Sequence, residues 1–421
     1  MPSHDHEHGH HARHEGGRTV FPDLLPLDVA LPQILEQIPV LEVEDKPIID
    51  ALGQVLAEDV VSTENVPPQA NSAMDGFAVR GEDTPGRLKV VADQAAGHVT
   101  DKAVEPGTAI RIMTGAVMPA GADTVVPVED TDGGLDGVVN ISVKAQPMDN
   151  VREAGEDVRQ GESVLPKGTA LGAGMIGVLA SIGRGRVKVY RRPVVAFMAS
   201  GDELVGVDDR LGPGQIRNSN SYTLVCQIQQ AGGIPRDLGV ARDTLEDIRA
   251  HIDEGLKADL LITSAGVSVG DFDYVKRVLE EHGQLRLWRI AIRPGKPVAF
   301  GVFEGTPVIS LPGNPVSSMV CFEIFVRPAI AKMMGQQRLD PATAEVTVLD
   351  PVNNRGGRRS FLRAIVSRDA DGYVARLTGP QGSGILTSMA RANALLDIPA
   401  EAEQVSAGSR VRAILLAPVA A

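Results

Sequence analysis

Three groups of acidic side chains stand where apolar runs end. Ser200-Gly-Asp-Glu203 follows Val194-Val-Ala-Phe-Met198, Asp243 follows the run at Val240, and Asp271 and Asp273 follow Ala258-Asp-Leu-Leu-Ile262. Carboxylates gathered beside a phosphate can hold Mg²⁺, which neutralises the phosphate and keeps water in its shell. The loop Thr263-Ser-Ala-Gly-Val-Ser-Val-Gly-Asp271 consists almost wholly of small and hydroxyl residues. Such a loop, with Ser268 and Gly270 near its centre, lets backbone N–H groups approach a phosphate, and the following helix adds a partial positive charge. Leu311-Pro-Gly-Asn-Pro-Val-Ser-Ser318 repeats the arrangement, with Pro312 and Pro315 shaping the turn. Two such loops suggest a phosphorylated ligand lying across strand ends. Ile292-Arg-Pro-Gly-Lys-Pro297 adds cations: Arg293 and Lys296, three apart and flanked by prolines, suit an oxyanion. The plainer readings are N-caps for the acids and a surface turn for the basic pair. Asp243 is the clearest such case, because Asp243-Thr-Leu-Glu246 has the form of a capping box. The coincidence of three acidic groups after three strands favours a site.

These residues must be held by regular alternation of strand and helix between residues 191 and 336. Strands are expected at Val194 and Leu260, and helices over Ser221–Gln230, Asp243–Leu256 and Tyr274–Glu281. A further helix runs from Asn314-Pro315 to Met334, with a kink at Pro328. Such alternation predicts a doubly wound parallel sheet with helices on both faces, whose ligands lie beyond the carboxyl ends of the strands. Residues 27–60 read as helical, with a second helix over Ile48–Leu56, and Ala173–Ser181 is another helix. Residues 67–151 carry short Val/Ile-rich runs at Phe77, Lys89, Ala109 and Thr124 and form a β-rich domain. Segments 21–66 and 152–190 flank that domain and together make a discontinuous first domain. Residues 337–421 again read as short strands, a small β-barrel or sandwich. Residues 1–20, with His4, His6, His8, His10, His11 and His14, are expected to be a disordered tail. The tail's histidine spacing fits no folded zinc site.

Composition bounds the function. A chain of 421 residues needs several cores. A net charge of -13 argues against a nucleic-acid surface, though it leaves room for a local basic pocket. No apolar run reaches membrane-spanning length. The two cysteines, Cys226 and Cys321, sit in apolar helical patterns, and with no secretory signal visible a cytoplasmic protein is expected. His98, His251 and His282 fall outside every motif, so no Ser–His–Asp arrangement is present.

Taken in order, these motifs resemble the MoeA family of molybdopterin molybdenumtransferases, to which gephyrin is related. Further matches are Asn71-Ser-Ala-Met-Asp-Gly-Phe-Ala78, Arg111-Ile-Met-Thr-Gly-Ala116, Arg152-Glu-Ala-Gly-Glu-Asp157, Ser200-Gly-Asp-Glu-Leu204 and Gln381-Gly-Ser383. The likeness runs from about residue 22 to the end. It implies an elongated homodimer of four-domain chains: a molybdopterin-binding α/β domain, a β-rich second domain, a discontinuous first domain and a C-terminal β-barrel. The implied reaction inserts molybdate into adenylylated molybdopterin and releases AMP, with Mg²⁺. Carried over by motif, the catalytic positions are Asp75, Thr114, Glu203, Asp243 and Asp273. Substrate is expected to meet Arg152, Ser268, Gly270, Arg293, Lys296, Pro312, Pro315, Arg363 and Ser383, and Mg²⁺ to meet Asp243, Asp273 and Glu203. Asp75 lies far away in sequence and is expected from the other subunit. Expected partners are a molybdopterin adenylyltransferase and molybdoenzyme-specific chaperones, with no nucleic acid or membrane. Position 293 is Arg where many members carry Lys, and the histidine-rich tail lies outside the family pattern. An adenylyltransferase acting on molybdopterin and a non-catalytic pterin-binding scaffold are the competing readings.

Overall fold

The computed structural model describes residues 24–134, 136–264, 274–282, 286–354 and 357–419. They form two compact units: Val43–Val189, and the described residues before Val43 together with those from Tyr190 on.

The described residues of the Val43–Val189 unit hold three buried clusters, one of them the small group Ala78, Ile112, Ala116 and Val125. A five-stranded sheet, ordered Thr124–Pro127, Gly76–Val79, Thr108–Ile112, Gly86–Gln94, Val138–Ile141, is built on the four runs expected to be strands. Its alternating side chains bury Phe77, Val79, Leu88, Ala109, Val126 and Val139. The second core combines Leu56 and Val60 with Val158, Leu165, Leu179, Val187 and Val189, residues from both sides of that sheet in sequence. The helix Ala173–Ser181 lies where expected. Ile48–Leu56 does not become a helix. A single 3₁₀ turn, Ile48–Ala51, follows Pro47, and Gly53 at φ 79° ends it. Val55 and Leu56 then bridge to Ala170 and Val189 as extended chain. The apolar residues here reach the core by cross-strand pairing, so helical spacing misreads them.

In the second unit the six-stranded sheet is ordered Ile234–Ala241, Val194–Ser200, Leu260–Ser264, Thr306–Leu311, Pro297–Phe303, Arg286–Arg289. The first four strands are parallel, as expected, but Pro297–Phe303 runs antiparallel to them, and Arg286–Arg289 pairs antiparallel with it in turn. A two-residue turn explains the reversal: Glu304 and Gly305 both have positive φ, the geometry that folds a strand straight back on itself. Leu260, Leu261 and Ile262 are wholly buried, as a strand covered on both faces requires. The helix Ser219–Gln230 begins two residues earlier than the apolar pattern suggests, and Gly232 at φ 90° closes it. The expected kink at Pro328 appears as a π turn, Phe322–Val326, between the helices Pro315–Cys321 and Arg327–Met333. Proline has no N–H for the carbonyl four residues back, and the ladder slips there. The helix Leu27–Glu36, grouped with 43–66 on sequence grounds, packs in this unit, where the Leu41 N–H donates to the Met333 carbonyl.

The C-terminal strands close a barrel. Arg359–Asp369, Gly372–Leu377, Thr343–Val348, Arg410–Leu415 and Ala394–Ile398 pair in turn, and the last pairs back to the first. Closure removes the sheet edges. Ile292–Arg293 adds to the barrel's Arg359–Asp369 strand, so the basic loop passes directly from barrel to α/β sheet. A short helix, Leu386–Arg391, was not expected.

Candidate functional site

A cavity of about 710 Å³ opens beyond the carboxyl ends of the parallel strands. Its walls include Ser200 and Glu203 after one strand, Ser264 at the end of the next, and Pro312 through Pro315 after a third. Pro297 of the basic loop and Gly384, beside Ser383, complete it. The Ser383 carbonyl accepts the Val316 N–H at 3.1 Å, which ties the Gln381–Ser383 turn to the first turn of the Pro315 helix. Gly201, at φ 141°, has no room for a Cβ because the Glu203 carboxylate folds over it.

The helix Ser219–Gln230 supplies a third wall. The Asn218 side chain caps it by accepting from the Ser221 N–H at 3.2 Å. Asn220 Nδ2 donates to Ser264 Oγ at 2.8 Å and to the Gly313 carbonyl at 2.9 Å. Arg217, Asn218 and Asn220 all line the cavity, and the sequence reading passed over them. Asn-Ser-Asn immediately before an apolar helical run was the available signal.

Asp243 is not the helix cap. Thr244 is: its hydroxyl accepts from the Asp247 N–H at 3.3 Å, while Asp247 Oδ2 accepts from the Arg242 N–H at 2.7 Å. The cap is therefore displaced by one residue, with Asp247 reaching past it to Arg242, and the Asp243 carboxylate is released from capping. Burial pushes its pKa upward, as do the charges of Asp202 and Glu203, against a hydrogen bond from the Asp202 backbone. The structure thus brings Glu203, Asp243 and Asp202 into one electrostatic neighbourhood. Among the described residues, no group of three or more His, Cys, Asp or Glu could by itself hold a metal ion. Ser268, Gly270, Asp271 and Asp273 lie outside the described residues.

On the other side of the basic loop is a smaller cavity of about 110 Å³, lined by Arg293, Pro294, Ser360, Arg363 and Gln381 among others. Arg363 is 0% exposed. Its Nε donates to Ser388 Oγ and another guanidinium nitrogen to the Gly382 carbonyl, each at 3.0 Å. No carboxylate pairs with it among the described residues. Burial, and secondarily the charge of Arg293, pulls its pKa down to about 10. Gln381 clamps the Arg363 backbone from both sides, accepting its N–H at 2.9 Å and donating to its carbonyl at 3.1 Å. Two guanidinium groups around a small hollow, one of them buried without a counter-charge, form a seat for an oxyanion. Lys296 is exposed on the same loop, between Pro294 of this cavity and Pro297 of the larger one.

Asp75, Thr114 and Arg152 belong to the Val43–Val189 unit. The Thr114 N–H and hydroxyl both donate to Asp75 Oδ1 at 2.7 Å. The Thr114 backbone N–H first, and its hydroxyl second, hold the Asp75 carboxyl below the usual carboxylate range. Arg152 pairs in register with Asn71, four residues before Asp75. The three residues thus gather around the segment Asn71–Asp75.

The described residues contain no helix long and apolar enough to cross a membrane. Three family models match the chain in sequence order: the MoeA N-terminal region (domain I and II) over residues 25–183, the "probable molybdopterin binding domain" over 196–332, and the MoeA C-terminal region (domain IV) over 345–416. The chain is 38% identical over 395 residues to the molybdopterin molybdenumtransferase of Haemophilus influenzae, covering 92% of this chain and 98% of that protein. It is 38% identical over 381 residues to molybdopterin molybdenumtransferase 2 of Mycobacterium tuberculosis, covering 87% of this chain and 93% of the relative. Among solved structures, the molybdopterin biosynthesis MoeA protein of Pyrococcus horikoshii superposes with a TM-score of 0.80 at 30% identity, over 93% of this chain and 100% of that one. With matching models along nearly its whole length and relatives covered almost end to end, the chain belongs to the MoeA family.

Proposed function

We propose that this chain is a molybdopterin molybdenumtransferase, which inserts molybdate into adenylylated molybdopterin and releases AMP. The observation that carries the reading is the pairing of two unlike cavities on one loop. One is roomy and carboxylate-bearing at the strand ends. The other is small and holds two guanidinium groups, of which Arg363 has no counter-charge among the described residues.

Molybdate is a tetrahedral dianion, and the substrate's pyrophosphate and dithiolene also carry negative charge. A site of acids alone would repel them. The acids fit a hard cation: their donors are carboxylate oxygens, and burial first, then the charges of Asp202 and Glu203, disfavour the ionised Asp243 carboxylate, a cost that a cation would offset. Asp243, Asp273 and Glu203 would hold Mg²⁺, which when bound neutralises pyrophosphate charge. Arg293, Lys296 and Arg363 hold and orient the oxyanion. The backbone around Pro312–Pro315, with the Ser268–Gly270 loop, seats the phosphates. Ser383 and Arg152 add contacts to the substrate. Catalysis then consists of positioning and charge stabilisation. Asp75 and Thr114 complete the site from the other subunit of a homodimer. The enzyme works in the cytoplasm, fed by an adenylyltransferase and relieved of its product by molybdoenzyme-specific chaperones.

The test mixes purified protein with adenylylated molybdopterin, molybdate and Mg²⁺ and measures AMP. Asp273→Asn is expected to stop AMP release while pterin binding remains largely intact. Loss of binding instead would remove the metal role, and formation of adenylylated pterin from ATP would favour an adenylyltransferase.

A further inference from the structure

We propose that Asn220 is a positioning residue that ties the end of the Leu260–Ser264 strand to the Pro312–Pro315 turn beside the nucleotide of the substrate. The inference rests on the function proposed above and adds a residue to it. Asn220 lies in the first turn of the helix Ser219–Gln230, yet its side chain reaches across two neighbouring parallel strands. One contact, Ser264 Oγ at 2.8 Å, belongs to the last residue of the Leu260–Ser264 strand. The other, the Gly313 carbonyl at 2.9 Å, lies in the Pro312–Pro315 turn. A carbonyl can only accept, so the amide nitrogen must face Gly313 and the amide orientation is fixed. Both protons of the amide nitrogen are then engaged. The Oδ1 has no hydrogen-bond partner among the described residues and remains an acceptor on a residue that lines the cavity. A donor on the nucleotide, such as a ribose hydroxyl or the adenine amino group, suits it. A phosphate oxygen does not.

The amide therefore acts on the nucleotide cavity and not on the Arg293–Arg363 hollow, which its contacts do not reach. This gives a readout that a merely structural residue would not move. Asn220→Asp keeps the shape but replaces a donor with an anion facing the Gly313 carbonyl. It is expected to raise the KM for adenylylated molybdopterin roughly tenfold, about 1.4 kcal/mol, while the KM for molybdate stays within about twofold. Ser264→Ala should give a smaller change in the same direction. Added to Asn220→Ala it should cost little more, because the two share one contact.

AMP binding by titration calorimetry supplies an independent arm. Asn220→Asp should bind AMP about tenfold more weakly than the wild type while remaining folded by circular dichroism. A fall in kcat with both KM values and AMP affinity unchanged would overturn the proposal, and so would an equal rise in both KM values. Wild-type protein that binds AMP in this Asn220-dependent way but never releases it from adenylylated pterin would refute the proposed function and leave the positioning role standing.

Discussion

Arg363→Met probes the oxyanion hollow through two effects of independent sign. The free guanidinium titrates above about 12, whereas burial and Arg293 hold this one near 10. At about 1.4 kcal/mol for each pH unit, keeping the charge inside the fold costs roughly 3 kcal/mol. The folded-state value is lowered for a base, so that cost is present in full at neutral pH and fades only as pH rises through about 10. Methionine removes the charge and nearly fills the volume. It forfeits the hydrogen bonds to Ser388 Oγ and the Gly382 carbonyl, each on the order of 1.5 kcal/mol for a charged donor. Ser388 keeps its own bond to the Ile385 carbonyl. The two effects nearly cancel, so unfolding free energy in urea should lie within about 1 kcal/mol of wild type. Truncating an ordinary buried side chain costs about 2–5 kcal/mol. Molybdate at about a hundred times its Kd should add about 2.7 kcal/mol to the wild type and nothing to the variant. A loss of about 3 kcal/mol without molybdate would make Arg363 a structural strut. An undiminished molybdate increment would move the oxyanion elsewhere.

Two other outcomes follow from the same geometry. Asp243 has a raised carboxyl pKa, so the folded protein grips that proton and loses stability as pH rises from the ordinary aspartate value through the raised one. Asp243→Asn should therefore melt higher than wild type at neutral pH in EDTA, and should lack the rise that Mg²⁺ gives the wild type. A variant that still responds fully to Mg²⁺ would remove Asp243 from the cation site. Gly295 sits at φ 103°, where an added Cβ would overlap Cys321 Sγ, and that thiol donates to the Gly295 carbonyl at 3.7 Å. Gly295→Ala should cost about 1–3 kcal/mol in backbone strain, more with the overlap, and raise the KM for molybdate by displacing Arg293 and Lys296. Cys321→Ala in the same chain should restore only the overlap part, and a strictly additive double variant would show that the thiol does not seat the loop.

The parts of this fold that could be read from the chain are those fixed by local periodicity. Strands such as Leu260–Ser264 and helices such as Ala173–Ser181 sit where apolar spacing puts them, because their burial depends on one repeating pattern. The failures occur where a long-range partner decides. Ile48–Leu56 has helix-like spacing, but Ala170 and Val189 recruit its end into bridges. Asp243 scans as a cap, and only the backbone geometry at Thr244 shows which of two adjacent side chains does the capping. The same division runs through the site. Glycine- and proline-rich loops announce themselves, since few other residues accept their turns. Asn220 does not, because its importance comes from two acceptors 44 and 93 residues further along the chain. Arg363 could be named only through the family resemblance: its strand pattern does not announce its burial, and closure of the barrel turns it inward. Arg363 is buried with hydrogen-bond partners but with no carboxylate among the described residues, an arrangement that suits an anionic ligand.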